Sequence, residues 1–327
     1  MKNLLVFVFL VFSAVSAGAK SINAVGFKKI DVIDPVNNKP MQAVAFFPGN
    51  GAAGSTIFGP YQVTASRQVT IGEDVYPLIL LSHGSMGSLL GHHDFATQLA
   101  EQGYIVVSLT HPGDNFQDPS LTGTSSTLYG RPLQISAVLS AALGDPELGK
   151  HTDKNRIGFL GFSAGGTTGL ILAGAKPDIS RLIDYCATRI NDHHVCEAKG
   201  NIRIEHPELV PSPDPRIKSF VLLAPLSVVF SPEELKSLNA PLLVFVGNKD
   251  EELSPDENAI SLAKETKATL KMFPDAGHFT FLSPCSPEMA RDVPDICSDN
   301  QGVDRVSVHH EINKEMTAFF NDSLSRR

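Results

Sequence analysis

Short apolar runs alternate with helix-like segments along most of the chain. Uninterrupted runs rich in Val, Ile and Leu are typical of parallel strands that are covered on both faces. They lie at 78–81, 105–109, 157–162, 220–223 and 242–246, with a weaker run at 269–273. Two earlier runs, at 24–32 and 41–47, mix polar and apolar positions and predict an antiparallel pair at one edge of the sheet.

Helices are predicted between these runs. They lie at 94–102, 133–143, 164–173, 233–238, 257–265 and 309–321. A strand that is followed by a helix and then by a parallel strand forms a βαβ crossover. The alternation therefore predicts an α/β fold with a doubly wound, mostly parallel sheet and helices on both faces. We expect a single domain over residues 20–327, because no repeat or linker interrupts the pattern.

Two stretches do not fit the alternation. Residues 113–130 are polar and turn-rich, and residues 176–215 carry two of the cysteines without a clear period. Long irregular insertions of this kind often form lids or binding loops. A surface excursion that is pinned by a disulfide is the alternative, and the pattern does not separate the two.

Residues 1–19 differ from the rest of the chain. Lys2 precedes an apolar run at 4–12, and small residues follow up to Ala19. This order predicts a signal peptide that is cut near Ala19, and therefore a secreted or periplasmic protein. A short membrane anchor is the alternative, although the run falls short of the roughly 20 apolar residues that span a bilayer. No other stretch is long enough, so no stable membrane span is expected.

Composition and charge mainly exclude classes of partner. The 327 residues carry 27 Lys and Arg against 35 Asp and Glu, for a net charge of −8. Nucleic-acid binding needs clustered positive charge, so we expect no nucleic-acid partner. The phosphate-binding glycine motifs and the spacing of metal ligands are both missing, so neither nucleotide binding nor a metal site is expected. The sequence does not specify an oligomeric state.

The four cysteines fall into two local couples. Cys186 lies near Cys196, and Cys285 lies near Cys297. An exported chain is expected to pair its cysteines, and short loops close readily, so we predict a disulfide within each couple. The other two pairings and free thiols remain alternatives.

The strongest chemical signal is Gly-Phe-Ser-Ala-Gly-Gly at 161–166. It follows a predicted strand and precedes a predicted helix, which is the context of a nucleophile elbow. Ser163 would then sit on a sharp turn where flanking side chains would clash, which explains the glycines. The amide of Ala164, at the helix N-terminus, would face a developing oxyanion. An ordinary tight turn is the alternative.

A serine nucleophile needs a base, and the base needs an acid that orients it. In this architecture the acid and then the histidine follow the serine in the chain. Asp250 follows one predicted strand and His278 follows the next, so both lie at the edge where ligand-facing loops gather. We therefore predict a triad of Ser163, His278 and Asp250. The other acids that compete for this role are Glu251, Glu252, Asp256 and Asp275. Asp250 is favoured because it comes first after its strand.

The loop at 82–87, Ser-His-Gly-Ser-Met-Gly, is expected to supply a second oxyanion donor. The amide of Ser85 is our first candidate, and the amide of Met86 is the alternative. One such donor stabilises a transition state by roughly 3–4 kcal/mol. We expect His83 to brace this loop.

Several of these segments resemble the α/β-hydrolase superfamily. They are Leu-Ser-His-Gly at 81–84, Gly-Tyr-Ile-Val-Val at 103–107, His-Pro-Gly at 111–113, Arg-Ile-Gly-Phe-Leu-Gly-Phe-Ser-Ala-Gly-Gly at 156–166 and Ala-Gly-His-Phe-Thr-Phe at 276–281. More narrowly, they look like the bacterial predicted dienelactone hydrolase group, which is related to platelet-activating-factor acetylhydrolase. The resemblance covers about residues 43 to 320.

This resemblance implies an α/β-hydrolase fold with Ser163 as nucleophile, His278 as base and no cofactor. It implies hydrolysis of a small-molecule or lipid ester. Dienelactone hydrolases carry a cysteine where this chain has Ser163, and plasma-type acetylhydrolases place the acid one strand earlier, where this chain has Leu-Ala-Pro at 223–225. A peptidase or amidase, an acyltransferase, and a catalytically silent binding protein of the same fold are the alternatives.

Overall fold

The structure, a computed structural model, describes residues 24–189, 195–196, 203 and 206–325. The predicted signal peptide at 1–19 lies outside the described residues. So does part of the predicted insertion at 176–215.

A nine-stranded sheet runs through the described residues. Its strands are β1 (Ala24–Ile33), β2 (Pro40–Asn50), β5 (Thr70–Ile71), β6 (Tyr76–Ser82), β7 (Ile105–Leu109), β8 (Thr152–Phe162), β9 (Ile217–Leu223), β10 (Leu242–Gly247) and β11 (Thr269–Phe273). The spatial order is β1-β2-β7-β6-β8-β9-β10-β11, and β5 pairs with β2. Two further strands, β3 (Thr56–Phe58) and β4 (Tyr61–Val63), form a separate hairpin.

The sheet is parallel from β7 to β11, and β1 and β2 are antiparallel at one edge. Every residue of β6, β7 and β10 is buried, as expected for strands that are covered on both faces. The predicted α/β fold and the predicted antiparallel edge are therefore confirmed.

Nine α-helices are described, together with three short 3₁₀ or π segments. The helices are α1 (His93–Glu101), α2 (Ser125–Gly144), α3 (Ala164–Leu172), α4 (Ile179–Thr188), α5 (Pro232–Lys236), α6 (Ser261–Thr266), α7 (Pro287–Asp292), α8 (Pro294–Cys297) and α9 (Arg305–Ser323). The short segments are Leu148–Lys150, Asp256–Ile260 and His278–Phe281.

Two helices correct the sequence analysis. We predicted that α2 starts at 133 and that 113–130 is turn-rich, but the helix begins at Ser125. Thr124 caps it by accepting a hydrogen bond from the Thr127 amide. The helix continues through the unfavourable Pro132 because Ile135 and Leu139 are buried in the core. The insertion at 176–215 also contains a helix, α4, capped by Asp178.

Helices cover both faces of the sheet, and each face has its own buried core. Ile135 and Leu139 of α2 and Leu170 of α3 pack on one face. Phe95 of α1 and Phe320 of α9 pack on the other. The carboxyl ends of the parallel strands are left uncovered by this arrangement, and the loops that follow them meet there.

Two disulfides are formed, Cys186–Cys196 and Cys285–Cys297, which is the predicted pairing. In the described part of the chain, none of the helices combines the length and the apolar character that a bilayer crossing requires.

Candidate active site

Ser163 lies on the turn between β8 and α3. Its backbone has φ 53° and ψ −115°, a conformation that residues other than glycine rarely adopt. The Ser163 amide donates to the carbonyl of Leu223 at 2.9 Å, and the Gly166 amide donates to the Ser163 carbonyl at 2.8 Å. The turn is therefore held in its strained conformation by the neighbouring strand and by the first turn of the helix.

The glycines around Ser163 have a steric reason. A Cβ on Gly165 would clash with the carbonyl of Ser82, and a Cβ on Gly161 would clash with the carbonyl of Gly165. A Cβ on Gly166 would lie 2.5 Å from the Cβ of Pro225. Only glycine allows the strand, the helix and the two adjacent loops to approach so closely.

Asp250 and His278 are joined by a short hydrogen bond. The distance from His278 Nδ1 to Asp250 Oδ2 is 2.8 Å, and both side chains are buried. The other oxygen of Asp250 accepts from the amides of Glu252 at 3.0 Å and Leu253 at 2.8 Å. Because the imidazole donates through Nδ1 to a carboxylate, its Nε2 is left as the proton acceptor.

The competing acids make no such bond in the described part of the chain. Glu251 accepts a long 3.4 Å hydrogen bond from the backbone amide of His278, and its carboxylate lies beside Gly277. Asp275 is exposed at a turn with φ 58°. Asp250 is therefore the acid that the structure brings to the imidazole.

Ser163 and His278 line the same cavity. The ring of Phe162, next to the serine, lies 4.8 Å from the imidazole ring between centroids. Among the described residues, no hydrogen bond joins the Ser163 hydroxyl to His278. The structure thus brings the three predicted residues to one end of the sheet. The hydrogen bond between Asp250 and His278 is formed, whereas the one between Ser163 and His278 is not.

The cavity has a volume of about 1140 Å³ and a largely apolar lining. Leu226 and Leu253 border it near the triad residues. Ile179 of α4 forms part of one wall, and Met289 of α7 with Ile296 of α8 forms part of another. Each of these two walls carries one of the disulfides, so both disulfide-bonded segments border the space in front of Ser163.

The loop at 82–87 borders the cavity beside Ser163. Met86 has φ 55°, and its amide donates to Asp114 Oδ1 at 3.1 Å. The Ser85 hydroxyl donates to the same oxygen at 2.8 Å. In the described ranges the amides of Ser85 and Ala164 donate no hydrogen bond, whereas the amide of Met86 already donates one to Asp114.

His83 braces this loop, as predicted. Its Nε2 accepts from the His111 amide at 3.0 Å, and its Nδ1 donates to the Gly84 carbonyl at 2.6 Å. Burial, together with the charge of Arg131, lowers the pKa of His83 to about 3. The ring is therefore neutral at physiological pH.

Asp114 and Arg131 border the cavity and were not predicted from the sequence. Arg131 Nη1 lies 2.7 Å from Asp114 Oδ2, and the two side chains are 3% and 1% exposed. Burial alone would raise the pKa of Asp114, but Arg131 and the hydrogen bonds from Ser85 and Met86 hold it below its ordinary value. Asp114 follows β7, and an acid just beyond a parallel strand is the signal that could have identified it.

A second missed group supports the loop that carries His278. Asp94 Oδ2 lies 2.5 Å from His309 Nδ1, and His309 Nε2 lies 2.8 Å from the carbonyl of Thr280. His92 contacts the Phe281 carbonyl through Nδ1 at 3.1 Å. Within the described residues, no group of three or more His, Cys, Asp or Glu side chains is arranged to hold a metal.

Comparison with known proteins identifies the fold. No family model matches the chain, and no curated protein matches it in sequence. The solved ferulic acid esterase from Streptomyces cinnamoneus is similar over 96% of both chains, with 17% identity and a TM-score of 0.64. The acylaminoacyl peptidase from Pyrococcus horikoshii is similar over 93% of this chain and 42% of its own length, with 13% identity and a TM-score of 0.57.

Both structural likenesses extend over more than nine-tenths of this chain. The protein has the α/β-hydrolase fold, as the sequence resemblance implied.

The strain at Ser163 predicts an unusual order of stabilities. At φ 53° an alanine keeps the Cβ that makes the turn unfavourable, whereas a glycine does not. We expect Ser163→Gly to be more stable than Ser163→Ala by about 1 kcal/mol in urea unfolding. Ala137, half-buried inside α2, should show the opposite preference for alanine over glycine. We expect Ala137→Gly to lower the free energy of unfolding by about 0.5–1 kcal/mol. A Ser163→Gly variant less stable than Ser163→Ala would contradict the strain.

Three buried histidines predict a loss of stability in mild acid. Burial lowers the pKa of His83 to about 3 and that of His92 to about 4, and it lowers the pKa of His111 well below its ordinary value. Between about pH 6.5 and pH 4 the unfolded chain binds protons that the folded chain does not, so stability falls as the pH falls.

The expected decrease in the free energy of unfolding is about 1.4 kcal/mol per pH unit for each of these histidines. Urea titrations over this pH range measure it. Replacing His92 by Gln should reduce the slope of the free energy of unfolding against pH by about 1.4 kcal/mol per pH unit. A free energy of unfolding that stays constant over this range would show that these rings are protonated in the folded state.

Proposed function

We propose that this protein is an exported serine carboxylester hydrolase that uses Ser163, His278 and Asp250. The observation that carries the proposal is the 2.8 Å Asp250–His278 hydrogen bond beside a cavity that also contains the strained Ser163. A base that is oriented by an acid, next to a serine on a nucleophile elbow, is the arrangement that acyl transfer requires.

In this mechanism His278 Nε2 takes the proton of Ser163 as the hydroxyl attacks the ester carbonyl. The two atoms must come within about 2.6–3.2 Å of each other, a bond that often tightens only when substrate is bound. Asp250 keeps the imidazole in the required tautomer and stabilises its charged form. An acyl-serine forms, the alcohol leaves with the proton from His278, and water that His278 activates then releases the acid.

The oxyanion is held by the amides of Ala164 and Ser85. Ala164 begins α3, where free amides and the helix dipole favour negative charge. Ser85 is preferred to Met86 because the Met86 amide already donates to Asp114.

The substrate is an ester with a substantial apolar part. A cavity of about 1140 Å³ slightly exceeds the roughly 300–1,000 Å³ that small-molecule sites usually occupy. Its walls include the apolar side chains Ile179, Leu182 and Val195 of the insertion at 176–215, which we propose acts as a lid-like element. Short-chain and lipid-like acyl groups both fit an apolar cavity of this kind.

Export of the chain is supported by the two disulfides, which persist in oxidising compartments. The mature protein would then begin near residue 20, after the predicted signal peptide.

A peptidase is the second candidate. The similarity to an acylaminoacyl peptidase favours it, because the same triad can attack an amide carbonyl.

Substitutions in the triad test the mechanism. We expect Ser163→Ala to abolish hydrolysis of p-nitrophenyl esters, because no nucleophile remains. Asp250→Asn should lower kcat by about 10⁴-fold, because the imidazole loses its orientation and tautomer. Asp275→Asn is the matched control, since Asp275 is an exposed acid just before His278 and Asn tolerates its positive φ. It should retain full activity, and an active Ser163→Ala variant would refute the mechanism.

A panel of substrates tests the ester class and the apolar cavity. Each methylene buried stabilises binding by about 0.8 kcal/mol, so kcat/KM should rise by up to about fourfold per added methylene from acetate towards longer acyl chains. N-acyl amino-acid anilides should react far more slowly. Faster cleavage of the anilides would favour the peptidase, and a kcat/KM that falls steadily beyond acetate would exclude a long apolar acyl site.

A further inference from the structure

The polar insertion between β7 and α2 has one inward-facing charge, Asp114. Its Oδ1 accepts from the Ser85 hydroxyl at 2.8 Å, the Met86 amide at 3.1 Å and the Thr122 hydroxyl at 3.0 Å. Its Oδ2 accepts from Arg131 Nη1 at 2.7 Å. The carboxylate is therefore fully hydrogen-bonded beneath the loop at 82–87.

Arg131 reaches the other end of the same loop. Its Nη2 donates to the carbonyl of His83 and to the Ser82 hydroxyl, the latter at 3.3 Å. Asp114 thus holds the amide of Met86 while Arg131 holds the carbonyl of His83. The amide of Ser85 lies between these two fixed points.

We propose that Asp114 and Arg131 are positioning residues that keep the Ser85 amide directed at the oxyanion. This inference rests on the proposed function, because it assigns a supporting pair to the second oxyanion donor of that mechanism.

The conformation of Met86 explains why the loop needs this support. Its φ of 55° is unfavourable for a residue with a side chain, and such conformations persist only where surrounding contacts impose them. The Asp114 carboxylate accepts the Met86 amide in this conformation. Without the carboxylate, the loop can relax to an ordinary φ, and the Ser85 amide, one residue earlier, then turns with it.

A role in stability alone does not require this arrangement. A buried ion pair is often no more stabilising than apolar residues of similar volume, because both charges must leave water. A second Asp–Arg pair, Asp214 with Arg216, is bonded from Arg216 Nε to Asp214 Oδ1 at 2.8 Å. It contacts Ser136 and Ser140 of α2, and neither member lines the cavity among its described lining residues. Asp214 is 6% exposed and Arg216 is 36% exposed, so Asp214→Asn is a control for the loss of a buried carboxylate away from the cavity.

Two variants test the positioning role. Asp114→Asn keeps the size of the side chain but places an amide beside Arg131. The double variant Asp114→Leu with Arg131→Met removes both charges, so no buried charge is left unpaired. Loss of one oxyanion donor lowers kcat by about 10²–10³-fold, so a misdirected donor should lower it by about 30- to 300-fold. KM should stay within about threefold, because the bond is made mainly in the transition state.

A trifluoromethyl ketone with the best acyl chain gives the second measurement. It forms a tetrahedral adduct with the serine, so its inhibition constant should rise by about the same factor as kcat/KM falls. Asp214→Asn should change neither value, even if it lowers the melting temperature as much as Asp114→Asn does. A merely structural role would not separate the two aspartates in this way.

The outcomes distinguish this proposal from the proposed function. If Ser163→Ala is inactive but a folded Asp114 variant keeps kcat and ketone inhibition within about threefold of the wild type, the positioning role is wrong and the mechanism stands. If Ser163→Ala remains active, the proposed function itself is wrong. Should the double variant yield no folded protein, Asp114→Asn decides the question, with circular dichroism to establish its fold.

Discussion

The close approach of four backbone segments around Ser163 is the constraint on which the site depends. The end of β8, the start of α3, the loop after β6 and the loop after β9 meet where side chains on Gly161, Gly165 and Gly166 would clash. The amide of Ser163 donates to Leu223 on the neighbouring strand β9, so the turn cannot relax without breaking this hydrogen bond. Because the strands are parallel, the loops that carry Asp250 and His278 leave the same edge of the sheet.

Loops at strand ends lack regular backbone pairing, so side chains must supply the hydrogen bonds that buried backbone groups require. Two buried networks do this. His83, Asp114 and Arg131 support the loop after β6, while Asp94 and His309 support the segment after β11. A buried charge is costly unless it is paired, and Asp114 is paired with Arg131. Arg131 Nε has no hydrogen-bond partner among the described residues, so the pairing in this network is not complete.

The fold could be predicted from the sequence, and the residues of the proposed triad could be nominated from it, because both signals are local. Each buried strand is a continuous apolar run, and the residues of interest directly follow a strand. The elbow is a contiguous motif, and Asp250 and His278 follow it in the order that the architecture imposes. The disulfides join cysteines only 10 and 12 residues apart.

The parts that sequence analysis missed depend on contacts between distant residues or on competing local preferences. Asp114 meets Ser85 across 29 residues, and Arg131 meets His83 across 48. No periodicity encodes such pairs. Pro132 and the polar residues before it hid the true start of α2, because burial of this helix in the core outweighs their low helix propensity.

The described part of the insertion at 176–215 packs into the protein and does not lie only on its surface. Tyr185, Cys186 and Val195 are buried against Val228 and Leu253, in a small core separate from the two faces of the sheet. Leu253 also donates its amide to Asp250, so this small core lies directly behind the acid that holds His278. The Cys186–Cys196 disulfide belongs to this small core, because Cys186 is buried in it and Cys196 packs against it. The disulfide therefore holds together side chains that pack with Leu253, whose amide bonds to Asp250.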